Sequence, residues 1–291
     1  MKESSFEGVG GLKIATRSWQ PAGKPRAVMI LIHGFNAHSA YFTWPAEQFA
    51  ARGLACYALD LRGRGKSEGE RFYVEKFSDY LDDVDRLVRL ARSENPGLPV
   101  FVLGHSVGGV IGASYVFDHQ NEITGLISES FAYDVGLPDA AALLLKGISH
   151  LAPHLHVYTL KNEVFSRDPE AVARMNNDPL IEKESQPAET SAEVLKASAL
   201  LTEHFPKFTV PLLILHGTAD KATRPAGSER FYRMAGSQDK TLKLYEGGFH
   251  DLLNDIDKEA VMADIQGWID ARFSRPTALQ RPTAKSTVAS V

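Results

Sequence analysis

The fold is decided by residues 100–108, which read VFVLGHSVG. The first four residues form an apolar run typical of a buried strand, and the last five match the G-x-S-x-G pattern of a nucleophile elbow. A serine in a tight turn between a strand and a helix has strained backbone angles, so Gly104 and Gly108 are needed where side chains would clash. The next helix directs free N–H groups toward a developing oxyanion. Ser106 is therefore predicted to be a nucleophile, although this pattern alone also suits a glycine-rich turn in a non-catalytic α/β protein.

A serine hydroxyl is a poor nucleophile until a base takes its proton and an acid orients that base. In the fold that contains this elbow, the acid and then the histidine follow the serine at the ends of later strands. Asp220 follows the apolar run 211–216, and His250 follows the run 242–245. We therefore predict Asp220 and His250 as the partners of Ser106. Three other carboxylates remain alternatives for the acid: Glu129, Asp134 and Asp251.

Two N–H groups are needed to stabilise the oxyanion that such a nucleophile creates. The amide of Val107, directly after the serine, is the first candidate. The second belongs to the turn after the apolar run 27–32, and there we predict the N–H of Phe35. His33, in the same turn, is predicted to hydrogen-bond the loop rather than to carry a proton.

Short apolar runs alternate with segments of helical periodicity along most of the chain. This rhythm predicts a mostly parallel central sheet flanked by helices on both faces, with a hairpin within residues 6–19 at one edge. The predicted strands are 27–32, 54–59, 100–103, 123–127, 211–216 and 242–245. The predicted helices of this core are 45–52, 77–93, 110–118 and 258–273.

One long segment interrupts the rhythm. It contains no convincing core strand, only predicted helices at 138–151, 169–176 and 192–205, and it exceeds an ordinary connection between neighbouring strands. We therefore predict an inserted helical cap. The expected organisation is a core in two parts, 1–130 and 209–274, a cap at 131–208, and a disordered tail at 275–291 that is rich in Pro, Thr, Ser and Ala.

The composition excludes several classes of function. The chain has 291 residues and a net charge of −4, from 32 basic and 36 acidic side chains, whereas nucleic-acid binding needs a basic face. Cys56 is the only cysteine, so there is no intramolecular disulfide, and its apolar neighbours indicate a buried thiol. Residues 1–11 lack a signal-peptide pattern, and no apolar run reaches the roughly 20 residues that span a bilayer. A cytoplasmic protein is expected.

Two further patterns in the sequence are weaker. His150, His154 and His156 have a spacing that could bind a metal, but Pro153 interrupts their helix and no carboxylate or cysteine completes the set. We expect a polar cap surface there and no metal site. The glycines of the loop 60–71 match only part of a dinucleotide-binding pattern. The basic residues of this loop are expected to be solvated: Arg62, Arg64, Lys66 and Arg71.

With these residues in place, the chain resembles the monoacylglycerol lipase and lysophospholipase family of α/β-hydrolases, which are serine aminopeptidase-like hydrolases. The resemblance extends from about residue 6 to residue 273, and several of the matching positions have no obvious catalytic task. All the matching positions together are His33, Gly34, His38, Ser39, Asp60, Arg62, Gly63, Gly65, Ser67, Gly69, Arg71, Phe77, Tyr80, Asp83, Gly104 to Gly109, His216, Gly217, Asp220, Thr223, Pro225, Gly227, Ser228, His250, Leu253 and Asn254. The resemblance implies an α/β-hydrolase fold, the same triad, a helical cap over an acyl pocket, and no cofactor.

The chain departs from this family at three positions. Ala37 stands where a glutamate is usual, Tyr41 where an arginine is usual, and Arg64 where a histidine is usual. All three lie near the oxyanion loop or the neighbouring strand end. They leave the triad intact, but recognition of glycerol is not carried over from the family.

The expected activity is hydrolysis of carboxylic esters with a single acyl chain, such as monoacylglycerols or lysophospholipids, through an acyl-enzyme. Leu137, Leu144 and Ile148 of the apolar cap segment are predicted to line an acyl channel, and the cap is expected to touch a membrane surface transiently. Packing of this helix onto the core is the alternative. The same site would also suit a small-ester carboxylesterase, a thioesterase, an acyltransferase or an aminopeptidase. A ligand-binding receptor on a hydrolase scaffold is the non-enzymatic alternative.

Overall fold

The computed structural model describes residues 1–273, so the predicted disordered tail at 275–291 lies outside the described residues. The strands are β1 Lys2–Glu7, β2 Lys13–Trp19, β3 Ala27–Ile32, β4 Leu54–Leu59, β5 Val100–His105, β6 Gly125–Glu129, β7 His156–Tyr158, β8 Gln186–Pro187, β9 Leu212–Gly217 and β10 Lys240–Tyr245. The helices are α1 Thr43–Ala51, α2 Phe77–Glu94, α3 Val107–Asp118, α4 Asp139–Leu151, α5 Pro169–Asn176, α6 Ala188–His204, α7 Pro225–Met234 and α8 Lys258–Phe273.

Eight of the strands form one sheet in the order β1-β2-β4-β3-β5-β6-β9-β10. The hairpin β1–β2 pairs antiparallel at one edge and β2 joins β4 antiparallel, while every other pair in this sheet is parallel. The predicted mostly parallel sheet is confirmed. Because the carboxyl ends of parallel strands share one edge, the loops after β3, β5, β9 and β10 meet there.

Both faces of the sheet are covered by helices. Val28 and Ile30 of β3 pack into a core with α2, α3 and α7, whereas Met29 and Leu31 pack into a second core with α1 and α8. This alternation follows from the two-residue period of a strand. Burial on both faces explains why β3, β4 and the first four residues of β5 are continuous apolar runs.

The segment between β6 and β9 contributes helices α4, α5 and α6 and the short antiparallel pair β7–β8, which lies outside the central sheet. We propose residues 131–208 as a cap domain. Ser149 is the only buried residue of helix α4, whereas Leu143 and Leu151 are 73% and 90% exposed. No helix within residues 1–273 is long and apolar enough to cross a bilayer.

The expectation of a solvated basic loop at 60–71 is wrong for two of its arginines. Arg62 is 6% exposed and pairs with Asp83 at 2.9 Å, and Arg64 is fully buried against Glu184 of the cap segment. Both carboxylates are remote in sequence, so the local pattern of charges could not show that these arginines would be paired. Lys66 remains exposed.

Candidate active site

Ser106 lies in the turn between β5 and α3 with φ 57° and ψ −121°, a strained conformation for a residue that carries a side chain. A Cβ atom on Gly104 would lie 2.2 Å from the carbonyl oxygen of Gly108. A Cβ atom on Gly108 would lie 2.1 Å from the carbonyl oxygen of Ile32. The glycines are thus required by backbone packing, and the elbow turns Ser106 toward the carboxyl edge of the sheet.

His250 follows β10 and meets Asp220 at that edge. Nδ1 of His250 lies 2.8 Å from Oδ2 of Asp220, and both side chains are fully buried. The carboxylate also accepts hydrogen bonds from Thr223 Oγ1 at 2.8 Å and from the Ala222 N–H at 2.8 Å. Burial opposes ionisation of Asp220, but the charge interaction with His250 and the hydrogen bonds from His216 and His250 hold its pKa well below the usual range. Asp220 is therefore an anion that can orient an imidazole.

The second ring nitrogen of His250, Nε2, is free to act as a base. Nε2 of His250 is buried and has no hydrogen-bond partner among residues 1–273. Donation of Nδ1–H to Asp220 leaves a lone pair on Nε2, which is the form that a general base needs. Nε2 of His105 lies 3.2 Å from the backbone carbonyl oxygen of His250. The ring of Phe165 packs edge-on against the imidazole of His250, with 5.1 Å between the ring centroids. Burial lowers the pKa of His105 to about 3, so it donates as a neutral ring.

Residues 33–36, which we call the oxyanion loop after the role predicted for Phe35, run directly against Ser106. A Cβ atom on Gly34 would lie only 2.7 Å from the Cβ atom of Ser106. Phe35 and Val107 line the same cavity as Ser106. Val107 opens α3, so its N–H has no acceptor within the helix. The geometry is compatible with the two predicted oxyanion donors.

His33 holds this loop. Its Nδ1 lies 2.7 Å from the carbonyl oxygen of Gly34, and its Nε2 accepts the Leu61 N–H at 2.9 Å. Burial lowers the pKa of His33 to about 4, which keeps the ring neutral at pH 7. The prediction that His33 hydrogen-bonds the loop is confirmed.

The alternative acids do not contact the imidazole. Oε1 of Glu129 accepts the Leu253 N–H at 3.0 Å, Asp134 accepts the Gly136 N–H at 2.9 Å, and Asp251 bonds to Asn254 at 3.0 Å. Burial and the nearby charge of Asp251 raise the pKa of Glu129, and burial raises that of Asp251 to about 6. Within residues 1–273, the set of possible metal ligands whose atoms lie within 4.8 Å of one another is His105, Glu129 and Asp251. Because burial favours the protonated form of both carboxylates, whereas a metal ligand must be a carboxylate anion, hydrogen bonding suits this set better than metal binding.

A cavity of about 310 Å³ opens at Ser106 and extends beneath the cap segment. Leu137, Leu144 and Ile148, the three predicted acyl contacts, all line it. The polar side chains of its wall are hydroxyls, and among the described residues that line it there is no carboxylate, lysine or arginine. The structure thus joins an apolar cavity to a serine, a histidine and a buried carboxylate.

Two residues contact Asp220 although the sequence predicts no role for them. These are His216, whose Nε2 lies 3.1 Å from Oδ2, and Thr223. Both belong to the positions that carry the family resemblance without an obvious catalytic task. The family resemblance at these two positions was the signal that could have found them. Their contact with Asp220 depends on how the loop after β9 folds, which no local pattern shows.

The sheet, the elbow and the Asp–His pair define an α/β-hydrolase of the serine hydrolase class. More particularly, the chain belongs to the family described as "Serine aminopeptidase, S33" (Hydrolase_4), whose model matches residues 23–257. It is 34% identical over 269 residues to the monoacylglycerol lipase of Mycolicibacterium smegmatis, covering 92% of this chain and 96% of that protein. It is 32% identical over 268 residues to the human monoglyceride lipase, covering 90% and 88%. The resemblance to monoacylglycerol lipases is confirmed.

Solved structures agree with this assignment. The monoacylglycerol lipase of Paleococcus ferrophilus superposes with a TM-score of 0.80 at 26% identity, covering 89% of this chain and 99% of that one. A soluble variant of the Saccharomyces cerevisiae monoglyceride lipase, in complex with a substrate analog, superposes with a TM-score of 0.84 at 24% identity, covering 93% and 94%. At that identity the second likeness shows the fold alone.

Proposed function

We propose that this carboxylic ester hydrolase cleaves esters with a single acyl chain, monoacylglycerols above all, through Ser106, His250 and Asp220. The observation that carries the proposal is the apolar cavity that begins at Ser106. Burying one methylene group in such a cavity contributes about 0.8 kcal/mol, or roughly fourfold in affinity. A wall of this kind favours an alkyl chain over a polar acyl group.

In the acylation step, Oγ of Ser106 attacks the ester carbonyl carbon while Nε2 of His250 takes its proton. Asp220 stabilises the imidazolium that forms, and it remains an anion throughout. The N–H groups of Phe35 and Val107 stabilise the tetrahedral oxyanion. His250 then gives its proton to the leaving alcohol as the C–O bond breaks. A water molecule repeats the sequence on the acyl-enzyme and releases the carboxylic acid.

The residues that line the cavity also help to rank the alternative activities and substrates. An aminopeptidase needs an acidic group to hold the amine of its substrate, and the described residues that line the cavity include no carboxylate. A phosphate-bearing head group would favour lysine or arginine, and neither lines the cavity within residues 1–273. We therefore expect monoacylglycerols to be hydrolysed faster than lysophospholipids. Thioesters and acyl transfer use the same groups, so they belong in the test.

We further propose that the cap touches a lipid surface transiently. Leu143, Leu144, Leu151 and Leu155 are each more than half exposed, and Leu144 also lines the cavity. Apolar side chains exposed together in this way are typical of surfaces that bind membranes or partners. A substrate that leaves a bilayer would enter the cavity along this face.

The experiment that tests the proposed function combines a fluorophosphonate probe with a panel of substrates. Labelling of Ser106 in the wild-type protein is expected, and absence of labelling would favour a ligand-binding receptor. The panel contains monoacylglycerols, lysophospholipids, an acyl thioester and an aminoacyl amide. Monoacylglycerols are expected to give the highest kcat/KM, and faster cleavage of the aminoacyl amide would overturn the substrate assignment.

A further inference from the structure

We infer that Glu184, held in place by Arg64, is a positioning residue for the oxyanion hole. The inference rests on the proposed function, because it concerns the N–H of Phe35. Neither Arg64 nor Glu184 lines the cavity, and neither contacts the Asp–His pair. Their influence on the reaction would pass through the oxyanion loop.

Arg64 and Glu184 form an ion pair in which both side chains are 1% exposed. Arg64 belongs to the glycine-rich loop of the core, whereas Glu184 belongs to the cap segment between α5 and β8. The guanidinium also donates to Oε1 of Gln186 at 2.6 Å, and its central carbon lies 4.1 Å from the centroid of the Phe35 ring. The pair therefore joins the cap, the core and the oxyanion loop at one buried point.

Glu184 contacts the backbone of that loop directly. Its Oε1 accepts the N–H of Asn36 at 2.9 Å, which fixes the peptide between Phe35 and Asn36. The preceding peptide is fixed as well, because Nδ1 of His33 donates to the carbonyl oxygen of Gly34 at 2.7 Å. The carbonyl of Gly34 and the N–H of Phe35 share one planar peptide unit. Because His33 holds this peptide and Glu184 holds the next one, the direction of the Phe35 N–H is determined.

The backbone of Asn36 shows that this support is needed. Its φ is 51°, in the left-handed region that costs free energy for a residue other than glycine. Such a conformation persists only where its surroundings impose it. Beside the bond to Glu184, the side chain of Asn36 donates to the Leu160 carbonyl at 3.1 Å and to Asn162 at 3.0 Å, both in the cap segment. The cap therefore holds the loop that supplies the oxyanion donor.

Arginine at position 64 suits this task in a way that the histidine expected there does not. Its planar fork can bind the carboxylate and the Gln186 amide oxygen while its face lies over an aromatic ring. Oε1 of Glu184 receives the hydrogen bonds of Asn36, Arg64 and Gln186, whereas its Oε2 has no partner among residues 1–273. A glutamine could thus keep the essential acceptor while losing the charge.

The test compares Glu184→Ala with Glu184→Gln. Removing one oxyanion donor costs about 10²–10³ in kcat, so a misdirected donor is expected to lower kcat about 10- to 100-fold in Glu184→Ala. KM should change by less than about threefold, because the acyl cavity is intact. Glu184→Gln should retain kcat within about fivefold of wild type, because Oε1 still accepts the Asn36 N–H. A purely structural role would not separate the two variants in this way.

A second readout uses an alkyl trifluoromethyl ketone. Oγ of Ser106 adds to its carbonyl, His250 takes the proton, and the hemiketal oxygen occupies the oxyanion hole. Its inhibition constant should rise in Glu184→Ala by the same factor as kcat/KM falls. The matched control is Asp83→Ala, which breaks another buried arginine–carboxylate pair that contacts none of residues 33–36. This control should lower the melting temperature but leave kcat unchanged.

If Glu184→Ala does not fold, the double variant Arg64→Met, Glu184→Met replaces the pair with apolar side chains of similar size. It also removes the acceptor for Asn36, and the same loss of kcat is expected. Wild-type kcat in either acceptor-free variant, or equal losses in Glu184→Ala and Glu184→Gln, would overturn the inference while the proposed function stands. A wild-type protein that neither labels with fluorophosphonate nor hydrolyses esters would overturn the proposed function itself.

Discussion

Nε2 of His216 lies 3.1 Å from Oδ2 of Asp220, the same oxygen that Nδ1 of His250 approaches to 2.8 Å. On its far side, His216 lies 2.7 Å from Oγ of Ser228. The carboxylate thus has a second imidazole partner, and Thr223 donates to the same oxygen. The position of Asp220 therefore does not depend on His250 alone, so the carboxylate is oriented before the histidine takes a proton.

We expect Ser106→Ala to abolish ester hydrolysis. Loss of a triad member costs about 10⁴-fold or more in rate, and the smaller side chain leaves the elbow intact. Steady-state kinetics on a p-nitrophenyl ester and thermal melting together measure the effect. A folded variant that retains most of its activity would show that another residue is the nucleophile.

Asp220→Asn is expected to lower kcat by about 10⁴-fold with little change in KM, because the amide no longer stabilises the correct tautomer and the imidazolium of His250. Glu129→Gln and Asp134→Asn are the matched controls, since neither carboxylate contacts that ring. Should one of these two give the large loss while Asp220→Asn does not, the acid lies after β6 instead.

The apolar cavity predicts that kcat/KM rises with acyl length from acetyl to at least octanoyl esters. Each buried methylene contributes about 0.8 kcal/mol until the cavity is full. Ile148→Trp, which adds bulk inside the cavity, should shorten the best chain. The series runs from two to sixteen carbons, with monoolein and triolein as the lipid pair. A steep preference for acetyl esters, or faster cleavage of triolein, would mean that the cap does not enclose one acyl chain.

Contact of the cap with a lipid surface can be separated from catalysis. The double variant Leu143→Ser, Leu151→Ser changes two exposed leucines that do not line the cavity. It should weaken sedimentation with phosphatidylcholine vesicles and slow hydrolysis of monoolein held in them, while kcat/KM for a soluble short ester stays the same. Leu244→Ser, at an exposed leucine on β10, is the control. Equal vesicle binding by all three proteins would exclude the cap as the contact surface.

Stability should depend on pH through Asp251. Burial raises its pKa from 3.8 to about 6 in the folded chain. Between these values the folded state binds more protons than the unfolded state, so the free energy of unfolding falls as pH rises from about 4 to about 6. Asp251→Asn should remove part of this decline. Urea titrations at pH 4, 5, 6 and 7 measure it, and parallel curves for the two proteins would contradict the prediction.

The bounds of the central strands could be predicted closely from the sequence, for a physical reason. The bounds of β3 and β4 match the predicted runs 27–32 and 54–59, because strands buried on both faces must be apolar throughout. Helix α6 begins at Ala188, four residues before the predicted start at 192, and Pro187 directly precedes it. Strand β6 is displaced by two residues from its prediction because Ile123 is apolar but lies before the strand.

The candidate site also has parts that the sequence could predict and parts that it could not. The order of Ser106, Asp220 and His250 could be predicted, because each follows a strand that ends at one edge of the sheet. The burial of Arg64 could not, because its partner Glu184 lies 120 residues away and only the folded cap brings the two charges together. Long-range pairing of charges has no periodicity that a sequence could reveal.

Cys56 makes the molecule convenient for spectroscopy. It is the only cysteine of the chain, it is fully buried, and burial raises the pKa of its thiol, so maleimide and methanethiosulfonate reagents will find almost no thiolate in the folded protein. One new cysteine on the outer face of α4 and another on β10 would therefore carry a pair of spin labels on an essentially silent background. Their separation, followed while a lipid analogue binds, would report directly whether the helix above the cavity moves.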